Sequence, residues 1–402
     1  MNPGWATEDD VAPDLPAPVE PASWGPDDPL LLPRTGRRTV AAEPPVRRRR
    51  LWARLLLFAG VLLVVLSAGT LVGIKVLLDR YTGTVDQQPM LGGAAAVPAP
   101  AKGRAALDGS VNVLLVGVDE RTAYDDPGGT RADSIIVLHV DAAHRHGYLL
   151  SVPRDTLVAI PPFPKTRFAG THEKINAAFE YGSDNGGGRA GGFELLATTV
   201  HNITGMSFNA GAIVNFAGFE SVVQALGGVS MCIDQKVTSI HLNTEGKDLK
   251  KGGSPAVYLP GCRHLEPWQA LDYVRQRHLK GGDYDRQRHQ QQFLKAIAKQ
   301  ALANGVSDPV GLDHVLLAAG RTLTVDPGTA SLTDWLFLLK GIGADGLTLL
   351  RTNAGGYDSV NCPDGHSCEQ LSPDSLQMFA AARDDRLPDF IAAHQSWVAG
   401  DT

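Results

Sequence analysis

Two aspartates and several arginines, scattered along the chain, are of the types that phosphate chemistry uses. Asp119 ends "VNVLLVGVD", Arg131 and Asp133 lie in "GTRADS", and Arg154 and Asp155 lie in "SVPRDT". Farther on, "YVRQRHLKGGDYDRQRHQQQ" (Tyr273–Gln292) holds four arginines, one lysine and two histidines against two aspartates. Separated carboxylates suit Mg2+ or Mn2+, which take a few oxygen ligands and leave positions for phosphate oxygens. Guanidinium forks grip phosphate through two parallel hydrogen bonds, a use that favours arginine over lysine. Together these groups describe a site for a phosphate ester or pyrophosphate, where positioning and charge neutralisation carry the catalysis. Each residue alone also has a structural use. Asp at a strand end forms turns and caps, and "PRD" can be an internal ion pair.

Only a fold that gathers these residues makes them a site. "VNVLLVGVD" and "DSIIVLHVD" are near-continuous apolar runs, as strands covered on both faces should be. "HGYLLSVPRDT" is a third strand, stopped by Pro153. Their short connections favour an up-down-up meander. Asp119 then ends the first strand, Asp133 begins the second, and Arg154 and Asp155 close the third, all on one edge. Helical patterns follow at Lys174–Tyr181, Gly192–Ile203 and Phe216–Leu226. Another helix opens at Pro267 and stops at Gly281-Gly282. The next carries Phe293, Ile297 and Ala301 on one stripe, with Arg286 and Gln290 four apart on a shared face. Strands mixed with helices imply an α/β fold class, a mixed central sheet flanked by helices. "FELLATTV" and "FAGFESVVQAL" offer apolar walls for a greasy groove.

The ends of the chain bear on where this site sits. Residues 1–50 are rich in Pro, Asp, Glu and Ala and read as a disordered cytoplasmic tail. From Leu55 to Ile74 no charged residue occurs, so 51–79 reads as a single transmembrane helix. Arg37, Arg38 and Arg47 to Arg50 precede it, which puts the N-terminus in the cytoplasm and the remainder outside the cell membrane. Residues 80–108 read as a linker, 109–304 as a catalytic domain, and 305–402 as a helical extension packed on it. The formal net charge of −6 gives no reason to expect nucleic acid. The basic stretch also falls across the membrane from the chromosome. The four cysteines form no CxxC pair, which speaks against zinc, and an outside location permits disulfides. Sequence proximity favours Cys232–Cys262 and Cys362–Cys368.

"NVLLVGVD", "GTRADSIIVLHVD", "LLSVPRDT", "HEKINAAFEYG", "FAGFESVVQALGGV" and "ALDYVRQRH…GDYDRQRHQQQ" resemble, in order and spacing, the LytR-CpsA-Psr family, over Ser110 to Leu302. The resemblance implies an α-β-α fold anchored on the outer face of the membrane. It implies a phosphotransferase that moves a glycopolymer from an undecaprenyl-pyrophosphate carrier to peptidoglycan. The usual acceptor is the N-acetylmuramic acid 6-hydroxyl, and the product is a phosphodiester. By the same resemblance Asp119 and Asp133 hold Mg2+, and Arg131, Arg154, Arg275 and Arg277 contact the pyrophosphate. Asp155 would hold an arginine in place. Lys174 and Asn176 belong to the "KIN" motif, and Asp283, Arg286 and a glutamine at 290 or 291 to the late motif. The implied catalytic set is thus Arg131, Asp133, Arg154 and Asp155. The pyrophosphate set adds Lys174, Arg275, Arg277, Arg286 and Gln290. The chain departs from many members in reading "YDR" and His289-Gln290 where they read Gly-Arg and Arg-Gln. Two rival functions are hydrolysis by the same site, as a polyprenyl-pyrophosphate phosphatase, and a non-enzymatic wall-binding scaffold.

Overall fold

The computed structural model describes residues 85–98, 102–118, 130–307, 320, 323–342 and 346–399. After a short strand β1 (Asp86–Gln87), the chain runs through β2 (Val111–Val118), β3 (Ala132–Val140) and β4 (Gly147–Ser151). β3 is antiparallel to both β2 and β4, so the expected meander forms. A hairpin follows, β5 (Leu157–Ile160) with β6 (Thr171–Lys174), then helices α1 (Ala177–Ser183) and α2 (Gly188–Thr204). β7 (Ala210–Asn215) returns parallel to β2 and leads into α3 (Phe216–Ala225). Two small ribbons come next: β8 (Val229–Ile233) pairs with β11 (Gly261–Leu265), and β9 (Val237–Asn243) with β10 (Pro255–Tyr258). Helices α4 (Pro267–Arg275) and α5 (Asp283–Ser307) complete the segment that carries the basic stretch.

The C-terminal part returns to the sheet as β12 (Leu323–Asp326), helix α6 (Leu332–Ile342) and β13 (Leu347–Leu350). A hairpin of β14 (Ser359–Asn361) and β15 (Ser367–Glu369) and helices α7 (Pro373–Arg383) and α8 (Leu387–Ala393) follow. The central sheet has the order β1-β12-β7-β2-β3-β4-β13, with parallel and antiparallel neighbours. The described part of 305–402 thus supplies two sheet strands as well as helices and is not only an added helical layer. The stretch read as a linker also differs. Met90, Leu91 and Ala95 are buried in the core, and Asp326 accepts from the amides of Met90 and Leu91. Met90 and Leu91 supply apolar surface to bury although the composition around them looks flexible.

Burial on both faces explains the unbroken apolar strands. Ile135 and Val137 of β3 join Leu114, Val116 and Leu150 in one core, under Phe179, Phe193 and Phe379 from the helices. Ile136 and Leu138 face the other way, against Val113, Leu149, Trp335 and Leu338. The helices on either side make the α-β-α sandwich. Phe193, Leu196 and Val200 of "FELLATTV" lie within the first core, so that helix packs down on the sheet instead of walling an open groove. A third cluster, including Tyr258, Tyr273 and Phe293, joins the ribbons to α4 and α5. The cysteines pair as expected: Cys232–Cys262 bridges β8 and β11, and Cys362–Cys368 closes the β14–β15 hairpin. Among the described residues no helix is long and apolar enough to cross a membrane. The expected tail at 1–50 and span at 51–79 lie outside them, as does Asp119.

Candidate active site

The meander brings the start of β3 beside the end of β4, and the ion pairs form there. Asp133 follows the first residue of β3, and Pro153 ends β4 so that Arg154 turns over the sheet edge. Arg154 Nη1 donates to Asp133 Oδ1 at 2.6 Å. From 144 residues away, Arg277 Nη2 donates to Asp133 Oδ2 at 2.9 Å. α4 ends at Arg275 because Gln276 turns extended, with ψ 129°, which carries Arg277 clear of the helix. Gly282, with φ +56°, makes the turn into α5 in a conformation L side chains rarely adopt. One turn into α5, Arg286 sits 2% exposed. Its Nη2 lies 2.7 Å from Asp283 Oδ1 and donates to the backbone oxygen of Asp133 at 2.9 Å. Asp283 is also 3.7 Å from Arg154, and Asp155 lies 3.5 Å from Arg154 and 3.0 Å from Lys174 Nζ.

Electrostatics follow from this crowding. Burial alone would raise the Asp133 carboxyl, but the guanidiniums of Arg277, Arg154 and Arg286 outweigh it and hold the group below the usual carboxylate range. Burial pulls Arg154 down, and Asp155, Asp133 and Asp283 more than reverse that. Burial lowers Arg286 to about 10, which leaves it charged at neutral pH. Arg154 Nε, Arg286 Nε and Asp283 Oδ1 are buried without an aligned hydrogen bond, despite the short ion-pair distances. Unsatisfied buried polar atoms are uncommon, and a bound ion or ligand is one way to satisfy them.

Other expected residues have different surroundings. Arg131 is 42% exposed and pairs with Glu180 at 2.6 Å and Glu173 at 3.6 Å, at the rim and apart from the Asp133 cluster. Tyr181 donates to Glu173 in the same group. Arg275 ends α4 near Asp272, whose carboxyl burial pushes up even though Tyr258 and Ser239 donate to it. The two glutamines separate. Gln290 Oε1 is buried with no hydrogen-bond partner. Gln291 is a structural clamp, its Nε2 donating to Leu149 O, Ser151 Oγ and Leu350 O across β4 and β13. Sequence reasoning left Asp285, Arg288, His289 and Asp234 unassigned. Arg288 pairs with Asp234 at 2.6 Å and Asp285 at 3.0 Å, and His289 Nε2 lies 3.0 Å from Asp234. The signal was there: Asp283–Arg286 and Asp285–Arg288 are both spaced i,i+3, one helical turn apart.

A cation would meet hard carboxylate oxygen here, which suits Mg2+ or Mn2+. Asp133 is ionised, and the arm on its Oδ2, Arg277, is 42% exposed and so can give that oxygen up. Among the described residues no group of three or more His, Cys, Asp or Glu is arranged to hold a metal ion.

A model described as the LytR_cpsA_psr family matches residues 83–378. The chain is 31% identical over 229 residues to a probable cell wall biosynthesis protein, LcpB, of Corynebacterium glutamicum, covering 54% of this chain and 48% of that protein. It is 30% identical over 214 residues to a polyisoprenyl-teichoic acid–peptidoglycan teichoic acid transferase, TagU, of Bacillus cereus, covering 53% and 59%. The chain spans about half the length of the curated relatives it matches. The structure of Bacillus subtilis YwtF (TagT) with bound octaprenyl pyrophosphate lipid shares the fold, with TM-score 0.51 at 21% identity over 74% of this chain and 99% of that one.

Proposed function

The chain belongs to the LytR_cpsA_psr family, and from that premise we propose that it transfers a glycopolymer from an undecaprenyl-pyrophosphate carrier to peptidoglycan. The observation that carries this reading is the convergence of Asp133, Arg154, Arg277 and Arg286, from three distant parts of the chain, on one sheet edge. Guanidiniums held in place by acids, rather than by water, can receive a diphosphate with little reorganisation. TagU's name and the lipid in the TagT structure agree in chemistry with such a substrate. The acceptor would be the N-acetylmuramic acid 6-hydroxyl. Its oxygen forms a bond to the glycan-side phosphorus, the bond from that phosphorus to the lipid phosphate breaks, and the hydroxyl proton ends on the released polyprenyl phosphate. The product is a phosphodiester.

In this reading Arg154, Arg277 and Arg286 hold the diphosphate, with Lys174 and Arg275 adding positive charge, and Asp155 keeps Lys174 and Arg154 in place. Arg131 guards the rim, and Gln290 faces the same side of α5 as Arg286. Asp133, with Asp119, would hold a Mg2+ that draws electron density from the phosphoryl oxygens when bound. Residues 51–79 would anchor the protein, with the N-terminus cytoplasmic and the catalytic part outside.

The test incubates the purified full chain with a polyprenyl-pyrophosphate-linked glycan, with and without peptidoglycan. Glycan joined to the wall through a phosphodiester, together with polyprenyl monophosphate, is the expected result, and Arg154→Ala should slow it about 100-fold or more. Release of free glycan at one rate whether or not acceptor is present would establish hydrolysis instead. Full activity of the Arg154→Ala protein would remove this site from the chemistry.

A further inference from the structure

Beside the phosphate-type cluster lies a carboxyl group that the scheme above leaves unused. Glu369 ends β15, immediately after Cys368 of the disulfide-closed hairpin. It is 1% exposed. Its backbone amide donates to the carbonyl of Asp155 at 2.9 Å, and Thr156 and Glu369 form a parallel bridge. Its Oε1 accepts from Tyr284 and from Asn353 Nδ2, the latter at 3.1 Å. Its Oε2 is buried with no hydrogen-bond partner. Tyr284 stands between Asp283 and Asp285 in the first turn of α5, two residues before Arg286. One residue therefore ties together three segments: its side chain joins the start of the helix bearing Asp283 and Arg286 to the turn at Asn353, and its backbone amide holds the loop bearing Asp155.

Burying a carboxyl is costly, and a packed apolar residue would hold the hairpin at less expense in solvation. Burial raises Glu369 to about 7, assisted by the nearby charges of Asp283 and Asp155. What the carboxyl adds over an apolar residue is direction. It fixes the Tyr284 hydroxyl, and with it the angle at which α5 leaves Gly282. That angle sets how Asp283 approaches Arg154 and how Arg286 reaches the Asp133 carbonyl.

We propose that Glu369 is a positioning residue for the phosphotransfer site, orienting the first turn of α5 through Tyr284 and the Asp155 loop through its own amide. The inference rests on the phosphotransfer reading. It places a requirement for the transfer step in the C-terminal hairpin, outside the segments whose residues make the ion cluster.

Steady-state transfer by the full chain, with the same lipid-linked glycan and peptidoglycan, tests it. Glu369→Ala should lower kcat about tenfold or more and change KM less than about threefold, since the loss is in orientation of groups and not in their number. Glu369→Gln keeps an acceptor oxygen for Tyr284 and Asn353 and should recover kcat to within about threefold of the wild type. Tyr284→Phe removes one hydroxyl, leaves the fold's volume intact and should reproduce the kcat loss, so it decides the matter if Glu369→Ala fails to fold. Wild-type kcat in Tyr284→Phe, or equal losses in Glu369→Gln and Glu369→Ala, would overturn the proposal. If the wild type itself transfers nothing, the phosphotransfer reading fails; if it transfers and Arg154→Ala does not, only the role of Glu369 is at stake.

Discussion

Replacing Asp133 by asparagine removes one charge and almost no volume. The carboxylate it removes holds Arg154 at 2.6 Å and Arg277 at 2.9 Å. A diphosphate landing on those guanidiniums must compete with it. At about 4 Å between charge centres and an effective dielectric near 20, each pair is worth roughly 4 kcal/mol before desolvation and ordering are subtracted. Arg277 is 42% exposed, so solvent screening reduces the net competition to about 1–2 kcal/mol. Inorganic pyrophosphate in chelator-treated buffer should therefore bind Asp133→Asn about tenfold more tightly than the wild type. Isothermal titration measures this directly. Adding Mg2+ should strengthen binding to the wild type and do less for the variant, because one of the cation's two proposed ligands is gone. The unliganded variant should also be less stable, its guanidiniums having lost their partner. Weaker pyrophosphate binding by Asp133→Asn without metal would refute the reasoning. It would mean that these arginines do not form the landing site.

Two further outcomes are expected. Burial raises the Glu369 carboxyl to about 7, so its neutral form favours the fold below its ordinary value, and that contribution is lost as pH rises toward 7. Urea unfolding of the wild type should show up to about 3 kcal/mol lost from this group between pH 4.5 and 7.5, a loss that Glu369→Gln removes; identical pH dependence in both proteins would count against the burial argument. The Cys232–Cys262 bridge closes a loop of sequence separation 30. Changing both cysteines to serine should cost about 3–4 kcal/mol of stability by denaturant unfolding, and a change below about 1 kcal/mol would show that the ribbons are held by packing alone.

The core of the sheet was legible because burial on both faces leaves one kind of sequence, an unbroken apolar run. β2, β3 and β4 announce themselves in that way, and the meander follows from their short links. β5 and β6 do not, since strands of four residues carry too little pattern and β6 buries neither face. Lys174, read as the start of a helix, ends β6, and the helix begins at Ala177. Asp133 and Arg154 could be placed on one edge because strand ends fix position, whereas Arg277 came to the site only through the family resemblance. The partners of Arg131 were not legible, because Glu173 of β6 and Glu180 of α1 meet it only through tertiary packing. The role of Glu369 was hidden for the same reason: its contacts depend on a hairpin docking on a loop more than 200 residues earlier in the chain.

The charge balance of the cluster bears on how it would act. Among the described residues, Arg154, Arg277, Arg286 and Lys174 face Asp133, Asp155 and Asp283, four cations against three carboxylates. A half-buried group of guanidiniums without those acids would repel itself and pay the full desolvation of each ion. With them the cluster is kept assembled and still one charge positive, in a chain whose net charge is −6. In the proposed reaction the lipid-side phosphate carries one negative charge in the diphosphate diester and gains a second as its bond to the glycan-side phosphorus breaks. A fixed positive surplus therefore interacts more strongly with the transition state than with the bound substrate, which is the condition for raising kcat instead of only tightening binding. Under that proposal Arg277 and Arg286 of the Tyr273–Gln292 stretch are charge held for the leaving phosphate, with Asp133 and Asp283 setting how much of it is exposed before the substrate arrives.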